Sequence, residues 1–218
     1  MLAQTSDPHH SPLKTLHRLA GMTLIVFVSL HLLNHLMSLG GVETHLVFME
    51  TLRSYYRHWL AESVLLLAVG VQLFSGFGLL RQKSRTPSHG FAKIQRWSGA
   101  YLAFFLSIHL AAIFVGRYLL QLDTNFYFGA AGLNAFPALL FFVPYYGLAV
   151  LAFFGHLAGI HYHKMPYRVM GMNVKTQARL ILLLGFLCSF GILLGFTHGF
   201  SGQPIPSGYQ LFHLPNAF

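Results

Sequence analysis

The chain has 218 residues, of which 55% are hydrophobic and only 9% are charged, and its formal net charge is +9. Soluble domains carry charged residues at about a quarter of their positions, so this composition excludes an ordinary soluble protein and indicates a membrane protein. The basic residues lie between apolar runs and form no continuous face or tail, which argues against nucleic acid as a partner. A single cysteine, Cys188, excludes both a disulfide framework and a thiolate metal site.

Five apolar runs have the length of about 17 to 25 residues that a helix needs to cross a bilayer. They cover residues 18–40, 59–80, 97–120, 136–160 and 179–200. The sequence therefore predicts an all-α integral membrane protein, with residues 1–218 forming a single membrane domain built as a five-transmembrane-helix bundle.

The distribution of Lys and Arg predicts the orientation of this bundle. Eleven of the fourteen lie in three places: before the first run, between the second and third runs, and between the fourth and fifth runs. Only three, Arg53, Arg57 and Arg117, lie in the other loops. By the positive-inside rule, we expect a cytoplasmic N-terminus and an outside C-terminus, as in a multi-pass protein of a bacterial inner membrane.

The last run and the tail contain many glycines. Gly191, Gly195 and Gly199 recur every four residues, which predicts a smooth stripe for close helix packing. The tail after residue 200 is uncharged and rich in Pro and Gly, so we expect an ordered or partner-bound coil and no sixth helix.

The first and third runs contain a repeated element. Residues 16–32 and 94–110 each hold an Arg, a Gly three residues later and a His thirteen residues after the Arg. At 1.5 Å per residue, this spacing places His31 and His109 roughly 20 Å from the basic residue that marks the membrane surface, level with each other in the outer half. Two level imidazoles in a membrane bundle suit the two axial positions of an iron porphyrin, so we interpret them as ligands of a b-type haem. His35 is the alternative ligand on the first run, but the repeat favours His31.

A second polar layer is predicted in the inner half of the membrane. His156 lies eight residues before Lys164, roughly 12 Å from the cytoplasmic end of its helix. Gln72 lies at a similar depth on the second run. Small residues on the His156 face would let a flat macrocycle approach; they are Ala149, Ala152 and Gly159. A carboxamide is a poor iron ligand, so His156 could hold a second haem alone or with another residue, or His156 and Gln72 could bind a quinone or each other.

The helix starts carry a further pattern. The first helix begins with HR-x-x-G at 17–21, the third begins with QR-x-x-G at 95–99, and the first, third and fourth helices contain histidines. Over most of residues 14–200, the chain resembles the single-chain, five-helix cytochrome b membrane anchor of succinate:quinone oxidoreductases and fumarate reductases. In two-haem members of that family, the first and third helices bind the distal haem, and the second and fourth bind the proximal one. The resemblance implies that His156 matches the fourth-helix ligand, while Gln72 stands at the second-helix position.

The resemblance also implies partners and substrates. FAD and iron–sulfur clusters would belong to soluble partner subunits on the cytoplasmic side, because this chain has no cysteine set and no dinucleotide fingerprint. A homo-oligomer of the whole complex is also open. Quinone in the membrane would be the substrate of this electron-transfer subunit. The residues expected to contact quinone are Lys14, His17, Arg18 and Gln72 on the inner side, and Glu50 and Glu62 on the outer side. Arg117 is expected either to pair with a haem propionate or to anchor its helix at the interface.

Other functions stay open at this point. One is a cytochrome b that serves a hydrogenase or another dehydrogenase, and another is a haem-free scaffold or transporter. A di-metal hydroxylase or desaturase is suggested by histidines within 31–35 and 156–163, although these clusters point to opposite halves of the membrane. Surface exposure is expected for the histidines in loops and ends, which are His9, His10, His45, His58, His89 and His213.

Overall fold

The computed structural model describes residues 12–82 and 90–212, which fold into helices joined by turns and short coils. Seven α-helices occur in these residues. They are α1 (Pro12–Leu36), α2 (Val42–Tyr56), α3 (Trp59–Gln82), α4 (Phe91–Phe114), α5 (Phe126–Ala130), α6 (Leu139–Lys164) and α7 (Val174–Phe196). A 3-10 turn, Met37–Gly40, extends α1, and a π-helical turn, Val115–Leu119, extends α4.

Five helices are long and apolar enough to cross a membrane, as the sequence predicted. The spans are Pro12–Gly40, Trp59–Arg81, Phe91–Leu119, Leu139–Lys164 and Val174–Phe196. Several ends differ from the predicted ones because caps and interfacial residues extend a helix beyond its apolar run. For example, the last helix was predicted from residue 179, but Asn173 caps it by accepting a hydrogen bond from the Thr176 backbone N–H at 2.9 Å.

The spanning helices associate in two main pairs, α1 with α3 and α4 with α6, and α7 packs along α6. The glycines of the repeated element lie inside these pairs. A Cβ placed on Gly21 would lie 3.6 Å from the Gln72 amide of α3. One placed on Gly99 would lie 3.1 Å from Cε1 of His156 on α6. The two copies of the repeat therefore contact their partner helices at equivalent positions.

The predicted glycine stripe of the last helix does serve packing within the chain. Gly191 faces the side chains of Leu36 and Leu39, and Gly195 lies against Ser38. A Cβ on Gly195 would be 2.9 Å from the Ser38 carbonyl carbon, so only glycine lets α7 approach this turn so closely. Gly199 lies beyond α7, in a turn with φ +66°.

The end of the bundle that was predicted to face outward is closed by α2, which the sequence did not reveal as a helix, and by the C-terminal tail. The helix α2 lies between the first two spans. The tail beyond residue 200 is a coil with one 3-10 turn at Ser207–Tyr209, which agrees with the prediction of an ordered coil as far as residue 212. Asn134 accepts a hydrogen bond from the Gln203 N–H at 2.8 Å, and Ile205 is buried in the core that surrounds Phe126 and Phe196. The tail is thus part of the outer core.

Gly195→Ala is expected to lower the apparent melting temperature of the detergent-solubilised chain, because the new methyl group meets the backbone of the Met37–Gly40 turn and overpacking costs about 1 to 3 kcal/mol. Gly70→Ala is the matched control, since a Cβ there meets nothing within 4 Å. Size-exclusion chromatography after heating measures both variants. Equal melting temperatures for the two variants would contradict the packing assigned to Gly195.

Candidate functional site

Four histidines from three helices gather in the half of the bundle that holds α2. They are His31 and His35 of α1, His45 of α2 and His109 of α4. Their nearest aromatic neighbours are Phe27, Phe105, Phe126 and Phe196. The site is therefore a cluster of imidazoles within an apolar, aromatic surrounding.

The structure brings together the two predicted haem ligands, His31 and His109. Their ring centroids lie 6.3 Å apart and their planes are inclined by 65°. Two imidazoles whose nitrogens each lie about 2 Å from one metal ion would have centroids roughly 6 Å apart. The centroid separation agrees with that spacing, and the contact joins the α1–α3 pair to the α4–α6 pair, while Nε2 of His31 is directed at Nε2 of His35.

The repeated element also fixes the orientation of these two rings. Phe27 stacks on His31 with a centroid distance of 5.6 Å and an interplanar angle of 16°. Phe105 stacks on His109 in the same way, at 5.1 Å and 14°. Each phenylalanine precedes its histidine by four residues, one helical turn. The sequence repeat therefore includes a stacking partner that the spacing of Arg, Gly and His did not reveal.

His35 is turned away from α4 and toward the outer core. Its Nδ1 lies 3.3 Å from Nε2 of His45, and its ring packs edge-on against Phe196 at 5.1 Å. Its Nε2 lies 3.1 Å from Nε2 of His31. His35 therefore contacts the Nε2 end of the His31 ring, and His31 is the histidine of α1 whose ring packs against His109.

The prediction that His45 is exposed was wrong. His45 has only 1% of its surface exposed, and Nδ2 of Asn34 lies 3.2 Å from its Nε2. The apolar residues Leu46 and Met49 share its side of α2, so this short helix folds inward over the histidine cluster. The helical spacing of His45, Leu46 and Met49 was present in the sequence. The segment was nevertheless too short and too charged to be identified as a membrane span.

Burial sets the charge state of His45, which lies outside the spanning helices. Loss of solvent, and secondarily the positive charge of Arg53, lower the pKa of His45 from 6.5 to about 4. Two polar atoms in this part of the cluster, Oδ1 of Asn34 and Nδ1 of His45, are buried without a hydrogen-bond partner among the described residues. His45 is therefore neutral at physiological pH.

The other histidines lie elsewhere in the fold. His58 and His163 are exposed, and His161 donates a hydrogen bond from Nε2 to Oε1 of Gln177 at 2.8 Å. The predictions for His9, His10, His89 and His213 fall outside the described residues.

The inner polar layer differs in part from the sequence prediction. Nδ1 of His156 lies 3.0 Å from the backbone carbonyl oxygen of Gln95, on the adjacent α4. On the small-residue face of α6 that was predicted to admit a macrocycle, the Gln95 side chain packs directly on Gly159. Ala149 and Ala152, the other two members of that face, are buried. Part of the face is used for contact between α4 and α6.

Gln72 does not pair with His156 but with His17, across the α1–α3 pair. Nε2 of Gln72 lies 3.1 Å from Nε2 of His17, and Nδ1 of His17 lies 3.0 Å from Oγ of Ser75. Ser75 is a residue of this layer that the sequence analysis missed. Lys14 and Arg18 lie on the same end of α1 with exposed side chains, so the predicted inner residues share one region.

The predicted outer residues all belong to an ion-pair network. Glu50 binds Arg53 at 2.9 Å, and Glu62 binds Arg117 at 2.7 Å. Asp123 lies 3.0 Å from Arg53, which makes the Arg53 pKa higher than usual despite its burial. The network ties α2, α3 and the end of α4 together, so a quinone or propionate role for these residues would require an ion pair to open.

The arrangement of the histidines bears on the di-metal alternative. Within residues 12–82 and 90–212, no three or more His, Cys, Asp or Glu side chains form a group that could hold a metal ion. His156 contacts Gln95 and His161 contacts Gln177, so the second histidine segment does not join the cluster around His31. Compared with protein-family models, curated proteins and solved structures, the chain gave no match.

His45→Gln is expected to make the apparent stability less sensitive to acid. The unfolded chain binds a proton at His45 with a pKa near 6.5, whereas the folded chain binds it only near pH 4. Stability is therefore fully present above pH 6.5 and is lost as the pH falls toward 4, by about 1.4 kcal/mol per pH unit.

Thermal unfolding in detergent at pH 7 and pH 5 tests this expectation. The drop in melting temperature should be smaller in His45→Gln than in the wild type, while the exposed control His58→Gln should follow the wild type. An equal drop in all three proteins would show that His45 is not a buried neutral base.

Proposed function

We propose that this chain is a haem b-containing membrane anchor of a succinate dehydrogenase or fumarate reductase complex. It would pass electrons between a cytoplasmic dehydrogenase, which carries flavin and iron–sulfur clusters, and quinone in a bacterial inner membrane. The observation that carries the proposal is the proximity of His31 and His109, which lie on separate helices with ring centroids 6.3 Å apart.

The residues around the pair fit a haem in several respects. Both candidate ligands are imidazoles, which are established axial ligands of haem iron. Both rings are held by stacked phenylalanines, and the surroundings are otherwise aromatic and apolar. When bound, the haem would supply reversible one-electron transfer, while His31 and His109 would hold it and Phe27 and Phe105 would fix the ring planes.

The residues behind His31 would exclude water and hold its ring. His35 contacts both His31 and His45, while Asn34 contacts His45 from the same helix as His31. Because its contact to His35 is made through Nε2, His31 would bind iron through Nδ1 or after this contact opens. The ordered tail and α2 would then shield the pair from the aqueous phase on the outer side.

The orientation of the chain follows from its charges. The eleven Lys and Arg at the predicted cytoplasmic ends would face the soluble partner subunits. The outer end would hold the balanced network in which Arg53, Arg57 and Arg117 are paired with acidic residues. A balanced outer surface and a basic inner surface support docking of the dehydrogenase on the cytoplasmic side.

Electrons would have to cross a considerable distance between the cytoplasmic surface and a haem held by His31 and His109. Ten residues separate Gly21, in the inner layer, from His31, which corresponds to roughly 15 Å along α1. A quinone near His17 and Gln72 would lie between the cytoplasmic surface and the haem. The inner polar layer is therefore the favoured quinone site, because Oε1 of Gln72 has no hydrogen-bond partner among the described residues, whereas Glu50 and Glu62 are held in ion pairs.

Spectroscopy of the purified chain tests the haem assignment. A reduced-minus-oxidised difference spectrum of b type is expected, and it should be lost in His31→Ala and in His109→Ala, because each removes one axial ligand. The controls His58→Ala and His163→Ala change exposed histidines and should keep the spectrum. Retention of the spectrum in both ligand variants would remove the assignment.

Purification of the tagged chain from its native membrane tests the partner assignment. Subunits with covalent or tightly bound flavin and with iron–sulfur clusters are expected, together with succinate:quinone or fumarate:quinol activity. Co-purification of a hydrogenase or another dehydrogenase would retain the haem assignment and replace the partner. A pigment-free chain without such partners, after haem-supplemented expression, would favour a haem-free scaffold.

A further inference from the structure

The inner layer contains an amide group whose hydrogen bonding is incomplete. Gln72 contacts His17 through its nitrogen, and its Oε1 is buried without a partner among the described residues. A buried carbonyl oxygen without a donor is costly, since it has lost its water and gained no protein contact. Such an atom in a membrane helix marks a place where a ligand could donate a hydrogen bond.

The positions of the protons in this layer follow from one short contact. Oγ of Ser75 lies 2.6 Å from the Val71 carbonyl oxygen, and only the hydroxyl has a proton to place between these two oxygens. Oγ must then accept the hydrogen bond from His17, which places a proton on Nδ1, and a ring with one proton has none on Nε2. Nε2 of His17 is therefore an acceptor.

This tautomer fixes the orientation of the amide. With Nε2 of His17 as an acceptor, the atom of Gln72 that faces it at 3.1 Å has to be the donor nitrogen. A reversed amide would place two acceptors against each other. The backbone carbonyl of Val71 thus determines, through Ser75 and His17, which amide atom of Gln72 lacks a hydrogen-bond partner. That atom is the oxygen, Oε1.

We propose that Gln72 is the specificity-determining residue of the inner site and that the site prefers the hydroxyl form of its ligand, a hydroquinone, over the oxidised quinone. The phenolic O–H of a hydroquinone donates to Oε1 of Gln72, whereas a quinone carbonyl would face another acceptor. This inference rests on the proposed function for the class of ligand, and it adds the redox form that is bound.

The location of the layer fits a ligand that comes from the bilayer. Gln72 lies nine residues before Arg81, roughly 13 Å from the inner end of α3, so it is below the lipid headgroups. His17 and Gln72 are only partly buried, but Oε1 of Gln72 is enclosed where its amide packs against Gly21, so a ring that binds there has to separate α1 from α3 at this point. A membrane-soluble hydroquinone satisfies both the depth and the required donor.

Equilibrium dialysis of the purified full chain in detergent micelles tests the proposal, with duroquinol and duroquinone as the probes. The wild type should bind duroquinol about tenfold more tightly, the effect of one hydrogen bond to an otherwise unpaired group. Gln72→Met, which keeps the size and removes both polar atoms, should abolish this preference by weakening duroquinol binding. Ser75→Ala should reduce it, because Nδ1 of His17 then loses the Ser75 hydroxyl as its hydrogen-bond acceptor.

The matched control is Ser107→Ala on α4. Ser107 makes the same kind of hydrogen bond to a carbonyl four residues earlier, Ala103, at 2.8 Å, but contacts no residue of the inner layer. It should keep the wild-type preference. Equal affinity of the wild type for the two probes, no binding of either probe, or an unchanged preference in both Gln72→Met and Ser75→Ala would overturn the proposal.

The haem spectrum separates this proposal from the proposed function. If the wild-type chain shows a b-type spectrum but binds duroquinol and duroquinone equally, only the role of Gln72 is overturned. A chain without haem that still prefers duroquinol through Gln72 would overturn the electron-transfer function and keep the binding site.

Discussion

An imidazole within the hydrocarbon of a bilayer needs a partner, because neither water nor lipid can satisfy its nitrogens. This constraint arranges the whole bundle into two polar layers. In the outer layer, His31 faces His109 and is backed by His35 and His45. In the inner layer, His17 contacts Gln72 and His156 contacts the Gln95 backbone. The apolar helix faces only have to meet lipid, but the polar layers set which helices lie together.

The duplicated element gives the bundle an internal symmetry that the inner layer modifies. Each repeat glycine packs against a polar residue of the partner helix, Gln72 in one pair and His156 in the other. Four residues before each glycine stands the residue that this group contacts, His17 or Gln95. Histidine and glutamine have thus exchanged places between the two pairs. The two inner contacts are therefore equivalent in position and reversed in residue type.

Hydropathy and spacing predicted the parts of the fold that depend on length along a helix. Five apolar runs gave the five spans, and the thirteen-residue interval gave the common level of His31 and His109. Contacts between segments were not predictable in this way. The position of His45 depends on α2 folding inward, and the hydrogen bond between His17 and Gln72 depends on which helices are neighbours. The closed face at Gly159 was missed for the same reason, since a small-residue stripe can accept either a cofactor or a helix.

Electron paramagnetic resonance of the oxidised, purified chain tests the central claim most directly, because the signal reports both axial ligands of a ferric haem. With His31 and His109 bound to one iron and their planes inclined by 65°, a strongly anisotropic low-spin signal is expected. It should disappear in either single histidine variant. A high-spin signal alone, or a low-spin signal that survives in both variants, would contradict a haem held between these two residues.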